Sequence, residues 1–442
     1  WENSLYKPTP TIIEASRALY KGHNVHEISR SDAGAVNLSK TNYEISRIIS
    51  TSKKNNYKSI CFITGVPGAG KTLAGLNIAN ESSKSNDDNV VFLSGNGPLV
   101  DVLREALVRD SVSSNGIRRG ESERRVKRFI QNVHHFRDEY IQDTSSPSEK
   151  VVIFDEAQRA WEKKKTADFM KKRGIRGFDK SEPSSLIDVM DRHKDWCVIV
   201  CLIGGGQEIN TGEAGLQEWI DSIRVKSNEW KINISEKIIS DDTYIKDNSI
   251  REWLNNNCNS FPNLHLSTSI RSFRSEELSN FIKCLLDNQI SQAKNIYSEI
   301  KTKYPICVTR DLNNARAWIR SQSRGTERMG MIASSGARRL KAHGLDVKNE
   351  IKQTDWFLNE KDDVRSSYFL ESIATQFDIQ GLEIDWSLMC WGGDFFYGDK
   401  EWNYQRFHGS RWLKVKNISD REFIKNAYRV LLTRARQGIV IF

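Results

Sequence analysis

Several familiar signatures are missing from this chain of 442 residues. Its seven cysteines include no C-x-x-C pair and no zinc spacing, so the usual small metal modules are not expected. Cys197 and Cys201 fall inside the apolar run WCVIVCLI, where buried strand thiols are the natural reading. Free thiols of this kind suit a reducing cytoplasm. No stretch approaches the roughly 20 apolar residues that a membrane span requires, so no membrane partner is expected. There is no low-complexity tract and no clear internal repeat. An initiator Met is absent, WENSLYKPTP has neither signal-peptide nor transit-peptide character, and the chain stops inside the strand-like GIVIF. The sequence is expected to be a piece of a longer protein, with any fused domain outside it.

What is present is a globular composition. Hydrophobic residues make up 38% and charged residues 28%, which supports sizeable cores and excludes global disorder. Lys and Arg number 66 against 57 Asp and Glu, a net charge of +9. The excess leans toward a polyanionic partner such as nucleic acid, although an ordinary basic enzyme has the same balance.

Short apolar runs recur at SICFIT, VVFLS, KVVIFDE and CVIVCLI, with helical stretches between them. Strands that alternate with helices predict a mostly parallel sheet covered on both faces. A second series, YPICVTR, GMIASS, WSLMCW and GIVIF, predicts another such unit. The expected division is an N-terminal extension over 1–40, a first α/β domain over 41–264 and a second over 265–442. Residues 108–128, VRDSVSSNGIRRGESERRVKR, are basic and poor in apolar side chains, which predicts a flexible excursion.

Residues 65–72 read GVPGAGKT and fit G-x-x-x-x-G-K-[ST] in full, between a strand and a helix. In such a loop Gly65, Gly68 and Gly70 let the backbone turn N–H groups around phosphate oxygens, and Val66, Pro67 and Ala69 complete the nucleotide-binding turn. Lys71 reaches the β- and γ-phosphates, the Thr72 hydroxyl ligates Mg²⁺, and the next helix adds its N-terminal dipole. ATP and Mg²⁺ are the expected ligands. KVVIFDEAQRAW ends a strand in Asp155 and Glu156, at the edge where open α/β sheets bind ligands. Asp155 is expected to hold the metal and Glu156 to activate water. CLIGGGQEIN breaks another strand into glycines, and Gln207 is expected to sense the γ-phosphate or orient water.

Taken together, GVPGAGKTLAGLN, SGNGPLVDVL, IFDEAQRAW, GGGQEINTGEAG, SFRS, FDIQGLEIDW and NAYRVLLTRARQG resemble the Schlafen group 3-like DNA/RNA helicase domain family, a superfamily 1 helicase core. The resemblance runs from about residue 57 to residue 442. It implies two RecA-like domains with ATP between them. By motif, it implies that Arg274 faces the γ-phosphate, that Gly381 and Glu383 lie near the nucleotide, and that Arg434 is the arginine finger. Arg436, two residues on, is expected to be merely solvated. The sequence departs from the pattern at IGGGQ, where an acidic residue commonly precedes the glutamine, and in NLSKTNYEISRII, which lacks the glutamine that reads adenine.

Ser94, Asn96 and Gly97 stand where such cores touch a nucleic-acid backbone, and a plain helix N-cap is an equal reading of the same residues. Between Trp391 and Trp412, aromatics interleave with Lys400, Arg406 and Arg411. Such a hairpin stacks bases or, as more often, covers a sheet. His134 and His135 are expected on a helix face.

The function implied is that of a helicase-type ATPase acting on single-stranded DNA or RNA, a P-loop nucleoside triphosphate hydrolase. A different class stays open: a non-unwinding nucleotide switch or sensor, working with a protein or nuclease partner, for example in antiviral defence.

Overall fold

A computed structural model of the chain describes residues 10–23, 32–66, 68–85, 90–204, 215–242, 244–245, 247–268 and 273–442. These divide into two compact units, within Glu14–Ile270 and Arg271–Phe442, with residues 10–13 grouping with the latter. Both are α/β, with mostly parallel sheets flanked by helices, the architecture of two RecA-like domains.

The sheet of the first unit contains β1 Lys58–Gly65, β2 Val90–Ser94, β3 Ile130–Asn132, β4 Val151–Asp155, β5 Cys197–Gly204, β6 Trp230–Ser235 and β7 Asn259–Phe261. Their spatial order is β3-β2-β4-β5-β1-β6-β7, and every pairing is parallel. A short β8, His265–Leu266, runs beside the end of β1. Apolar side chains on both pleats explain why β2, β4 and β5 are buried along their whole length. Leu186, Ile187, Trp219 and Ile220 close one face over Phe62, Val152, Phe154 and Ile199. On the other face the helix Lys71–Ser85 lies so close that a side chain at Gly75 would meet Leu202 at 2.8 Å. The strand order changes direction around β1 and β5, which opens a crevice at their carboxyl ends.

The basic stretch 108–128 is not a flexible excursion. It forms the end of the helix Gly97–Asn115 and most of a second helix, Arg119–Phe129. Ser122, Val126 and Phe129, spaced four and three apart, bury one narrow face of that second helix. The helix Asp32–Asn55 runs straight through the change expected at residue 40, and β8 extends the first sheet past residue 264.

In the second unit β9 Ile306–Val308, β10 Met329–Ala333, β11 Ile373–Thr375, β12 Ile384–Cys390 and β16 Ala435–Ile441 form a parallel sheet in the order β11-β10-β12-β16-β9. Between β12 and the helix Ile418–Leu432 rises an antiparallel ribbon, β13 Phe395–Gly398, β14 Glu401–His408 and β15 Arg411–Lys414.

Candidate functional site

The turn that leaves β1 is built for close backbone approach. Gly68 and Gly70 have φ of 77° and 84°, a region that side chains beyond glycine strain to occupy. At Gly65 the constraint is steric, since a Cβ there would come within 2.8 Å of the Leu266 Cβ. The Val66 N–H donates to the Leu266 carbonyl at 3.0 Å, so β8 holds the start of the loop in place. Pro67 lies outside the described residues.

Lys71 is buried at the mouth of this turn. Its ammonium donates to the carbonyls of Gly65 at 2.9 Å and Val66 at 3.2 Å, folding back over the loop it follows. One residue on, the Thr72 hydroxyl donates to Asp155 Oδ1 at 3.0 Å. Asp155 is the last residue of β4 and is buried. Burial, then the neighbouring Glu156, pushes its carboxyl up to about 7, against the opposing pull of the Thr72 hydroxyl, Lys71 and Arg159. A carboxylate held there is one that a cation would stabilise.

Glu156 turns the chain away from β4 with φ 53°, a left-handed conformation rare outside glycine. The turn aims its carboxylate at the next residues. Gln158 Nε2 donates to Glu156 Oε2 at 2.5 Å, and Arg159 Nε lies 3.3 Å from the same oxygen. Gln158 is itself buried, and its Oε1 accepts the Gly204 N–H at 3.0 Å, at the end of β5. Sequence reasoning passed over Gln158. Its only clue was the glutamine two residues beyond Glu156 in DEAQ.

Two further anchors hold this turn. The Trp219 indole N–H donates to the Ala157 carbonyl at 2.8 Å, and the Trp161 N–H donates to Glu182 Oε2 at 3.0 Å. Glu182 accepts from the fully buried Arg137 at 2.8 Å and lies 3.2 Å from His134 Nδ1. The His134 ring packs on Trp161, with centroids 4.3 Å apart, so this histidine props the loop beyond β4.

Gln207 lies outside the described residues, as does the side chain of Arg274. Asn96 caps the helix Gly97–Asn115 through its side chain, which accepts from Leu99 N at 3.4 Å. Ser94 is buried and accepts from Asn96 N at 3.3 Å. The N-cap reading of this turn therefore describes its geometry.

In the second unit Gly381 has φ 75°. Glu383 and Arg434 immediately precede Ile384 and Ala435, which pair between β12 and β16. The two residues thus stand side by side at one edge of that sheet. Arg434 Nε donates to the Val430 carbonyl at 3.0 Å, which turns the guanidinium back along its helix. Arg436 is not solvated as expected. It donates to Asp385 Oδ1 at 2.6 Å, with only 10% and 6% of the two side chains exposed.

Among the described residues, no helix is long and apolar enough to cross a membrane. The profile of the family described as Schlafen group 3, DNA/RNA helicase domain, matches residues 58–442. No curated protein matches the chain.

Proposed function

The chain belongs to the Schlafen group 3 DNA/RNA helicase domain family, and from that premise we propose that it is an ATP-driven motor acting on single-stranded nucleic acid. The observation that carries this reading is the meeting of Lys71, Thr72 and Asp155, where a hydroxyl and a buried carboxyl lie 3.0 Å apart beside a lysine that folds back on the carbonyls of the loop it follows.

The donor set fits Mg²⁺, a hard cation that takes oxygen ligands. Thr72 and Asp155 would hold it, and it would neutralise charge on the terminal phosphates. Lys71 exchanges its two carbonyls for phosphate oxygens, and the loop N–H groups share that charge. Glu156 accepts the proton of the attacking water, and Gln158 fixes the direction in which its carboxylate points. Arg434 stabilises charge as the phosphoryl group leaves. Gly381 and Glu383 support the same nucleotide, with Gln207 and Arg274 sensing its γ-phosphate.

The test is steady-state ATP hydrolysis by the whole chain with and without Mg²⁺, beside Asp155→Asn. Hydrolysis that needs the metal and falls at least about 10²-fold in the variant supports the site. Equal rates in wild type and variant place the chemistry elsewhere.

A further inference from the structure

The β14–β15 ribbon is two things along its length. Near its base it covers the sheet. Trp402 stacks on Phe395 with centroids 4.4 Å apart, and Phe395 packs on Tyr428 at 4.9 Å. Asp394 ties this base down, accepting from Ser334 at 2.6 Å and from Tyr428 at 2.7 Å, while its carbonyl accepts the Gln405 N–H at 2.9 Å. The Val415 N–H closes the base onto the Tyr404 carbonyl at 2.9 Å. These contacts satisfy the aromatic residues there as core.

Beyond Gln405 the packing thins: Trp412 still lies against Gly393, where a Cβ would meet its ring at 2.9 Å, but most side chains around it are exposed. Arg406 faces Leu413 across the ribbon and His408 faces Arg411, and all four are exposed. On the other face Phe407 pairs with Trp412, and Lys414 follows. The guanidinium of Arg339 lies 5.6 Å from the Phe407 ring, which brings the turn Arg338–His343 against the ribbon. That turn adds Arg338 and Lys341, both exposed. From 401 to 416 the only acidic residue is Glu401, at the base, against Arg406, Arg411, Lys414 and Lys416. Asp420 pairs with Arg406 at 3.3 Å, whereas Arg411 and Lys414 have no ion pair among the described residues.

The geometry points to the distal ribbon and the adjoining turn as a binding surface for the phosphate backbone of single-stranded nucleic acid. Arg339 and Lys414 contact phosphates on the face of the Phe407–Trp412 pair, which offers an aromatic surface to a base, and Arg411 contacts the strand where it passes the ribbon's tip onto the opposite face. Cations beside aromatics are the chemistry that grips a single strand without regard to its sequence. The rigid base spares the ribbon the entropic cost of ordering on binding. This surface rests on the nucleic-acid reading given above and extends it to residues outside the motifs.

The experiment is fluorescence anisotropy of labelled oligo(dT) and oligo(rU) over a salt series, with wild type and the triple variant Arg339→Ala, Arg411→Ala, Lys414→Ala. Loss of three phosphate contacts should flatten the log Kd against log salt slope by about 2 and weaken binding at least about 10-fold at moderate salt. Restoring charge with Arg339→Lys, Arg411→Lys and Lys414→Arg should recover the slope, which a purely structural role would not predict. An unchanged thermal midpoint shows that the variants are folded. Loss with either polymer supports the surface, and the polymer that wild type prefers identifies the strand. Wild-type binding with an unchanged triple variant overturns this surface alone. No binding by wild type to either polymer overturns it together with the nucleic-acid reading.

Discussion

Gln158 joins Glu156 to the end of β5, with Nε2 at 2.5 Å from the Glu156 carboxylate and Oε1 at 3.0 Å from the Gly204 nitrogen. The amide thus sets the direction of the proposed base from a strand whose continuation carries Gln207. Gln158→Ala should lower kcat for ATP by roughly 10- to 100-fold, with KM within about twofold, because it misplaces a group without touching the phosphate loop. It should also cost about 1–3 kcal/mol of stability, since a buried N–H loses its partner. Steady-state kinetics beside thermal unfolding separates the two effects. A KM change with kcat intact would assign Gln158 to nucleotide binding instead.

Lys71 and Arg434 should fail in different ways. Lys71→Ala removes a charged donor from the phosphate loop and should weaken ATP binding by about 10- to 100-fold. Arg434→Ala should leave ATP affinity within about threefold and reduce turnover by about 10³-fold or more. Titration of a fluorescent ATP analogue, followed by single-turnover hydrolysis, distinguishes the two. Hydrolysis at the wild-type rate in Arg434→Ala would remove that arginine from the site.

Arg436 should matter for stability rather than chemistry. Its partner Asp385 is buried and also accepts from the Arg328 N–H at 2.7 Å and from Gln437 at 3.2 Å. Arg436→Ala leaves that carboxylate with these two donors and no cation, which should cost roughly 3 kcal/mol. Urea unfolding is the measurement. A variant as stable as wild type would show that the pair adds nothing to the fold.

Acid should loosen the first unit through Asp191. Burial raises this carboxyl, but hydrogen bonds from Lys226, Lys58 and Trp230 outweigh it and bring the folded value down to about 2 from an ordinary 3.8. The folded pKa is depressed, so the stabilisation is complete above the ordinary value and is lost as pH falls through about 2. Asp191→Asn should be less stable than wild type at neutral pH and should show a shallower fall between pH 4 and 2. Parallel pH–stability curves for the two proteins would contradict this.

The parts of the fold that could be read in advance are those with a local cause. β1, β2, β4 and β5 are buried on both faces, so their apolar runs stand out, and the turns of GVPGAGKT and DEAQ at the ends of β1 and β4 stand out by residue type and spacing. The helix Arg119–Phe129 was obscured because only Ser122, Val126 and Phe129 are buried in it, among many charges. β8 and β11 have two and three residues, too few for any periodic pattern, and exist because β1 and β10 offer them a free side. Gln158, Asp385 and the divided ribbon owe their roles to residues distant in the chain. The pairing of Arg436 is illegible in the sequence for the same reason, since Asp385 lies 51 positions away.

The central claim is that nucleic acid drives ATP hydrolysis at the site of Lys71, Thr72, Asp155 and Glu156. Its most direct test is the steady-state ATPase rate of the whole chain in three parallel reactions, one without polymer, one with single-stranded DNA and one with single-stranded RNA. The account predicts a rate raised at least about 10-fold by one or both polymers, and no such rise in Glu156→Gln. A wild-type rate indifferent to both polymers would contradict it and favour a nucleotide switch that answers to a protein partner.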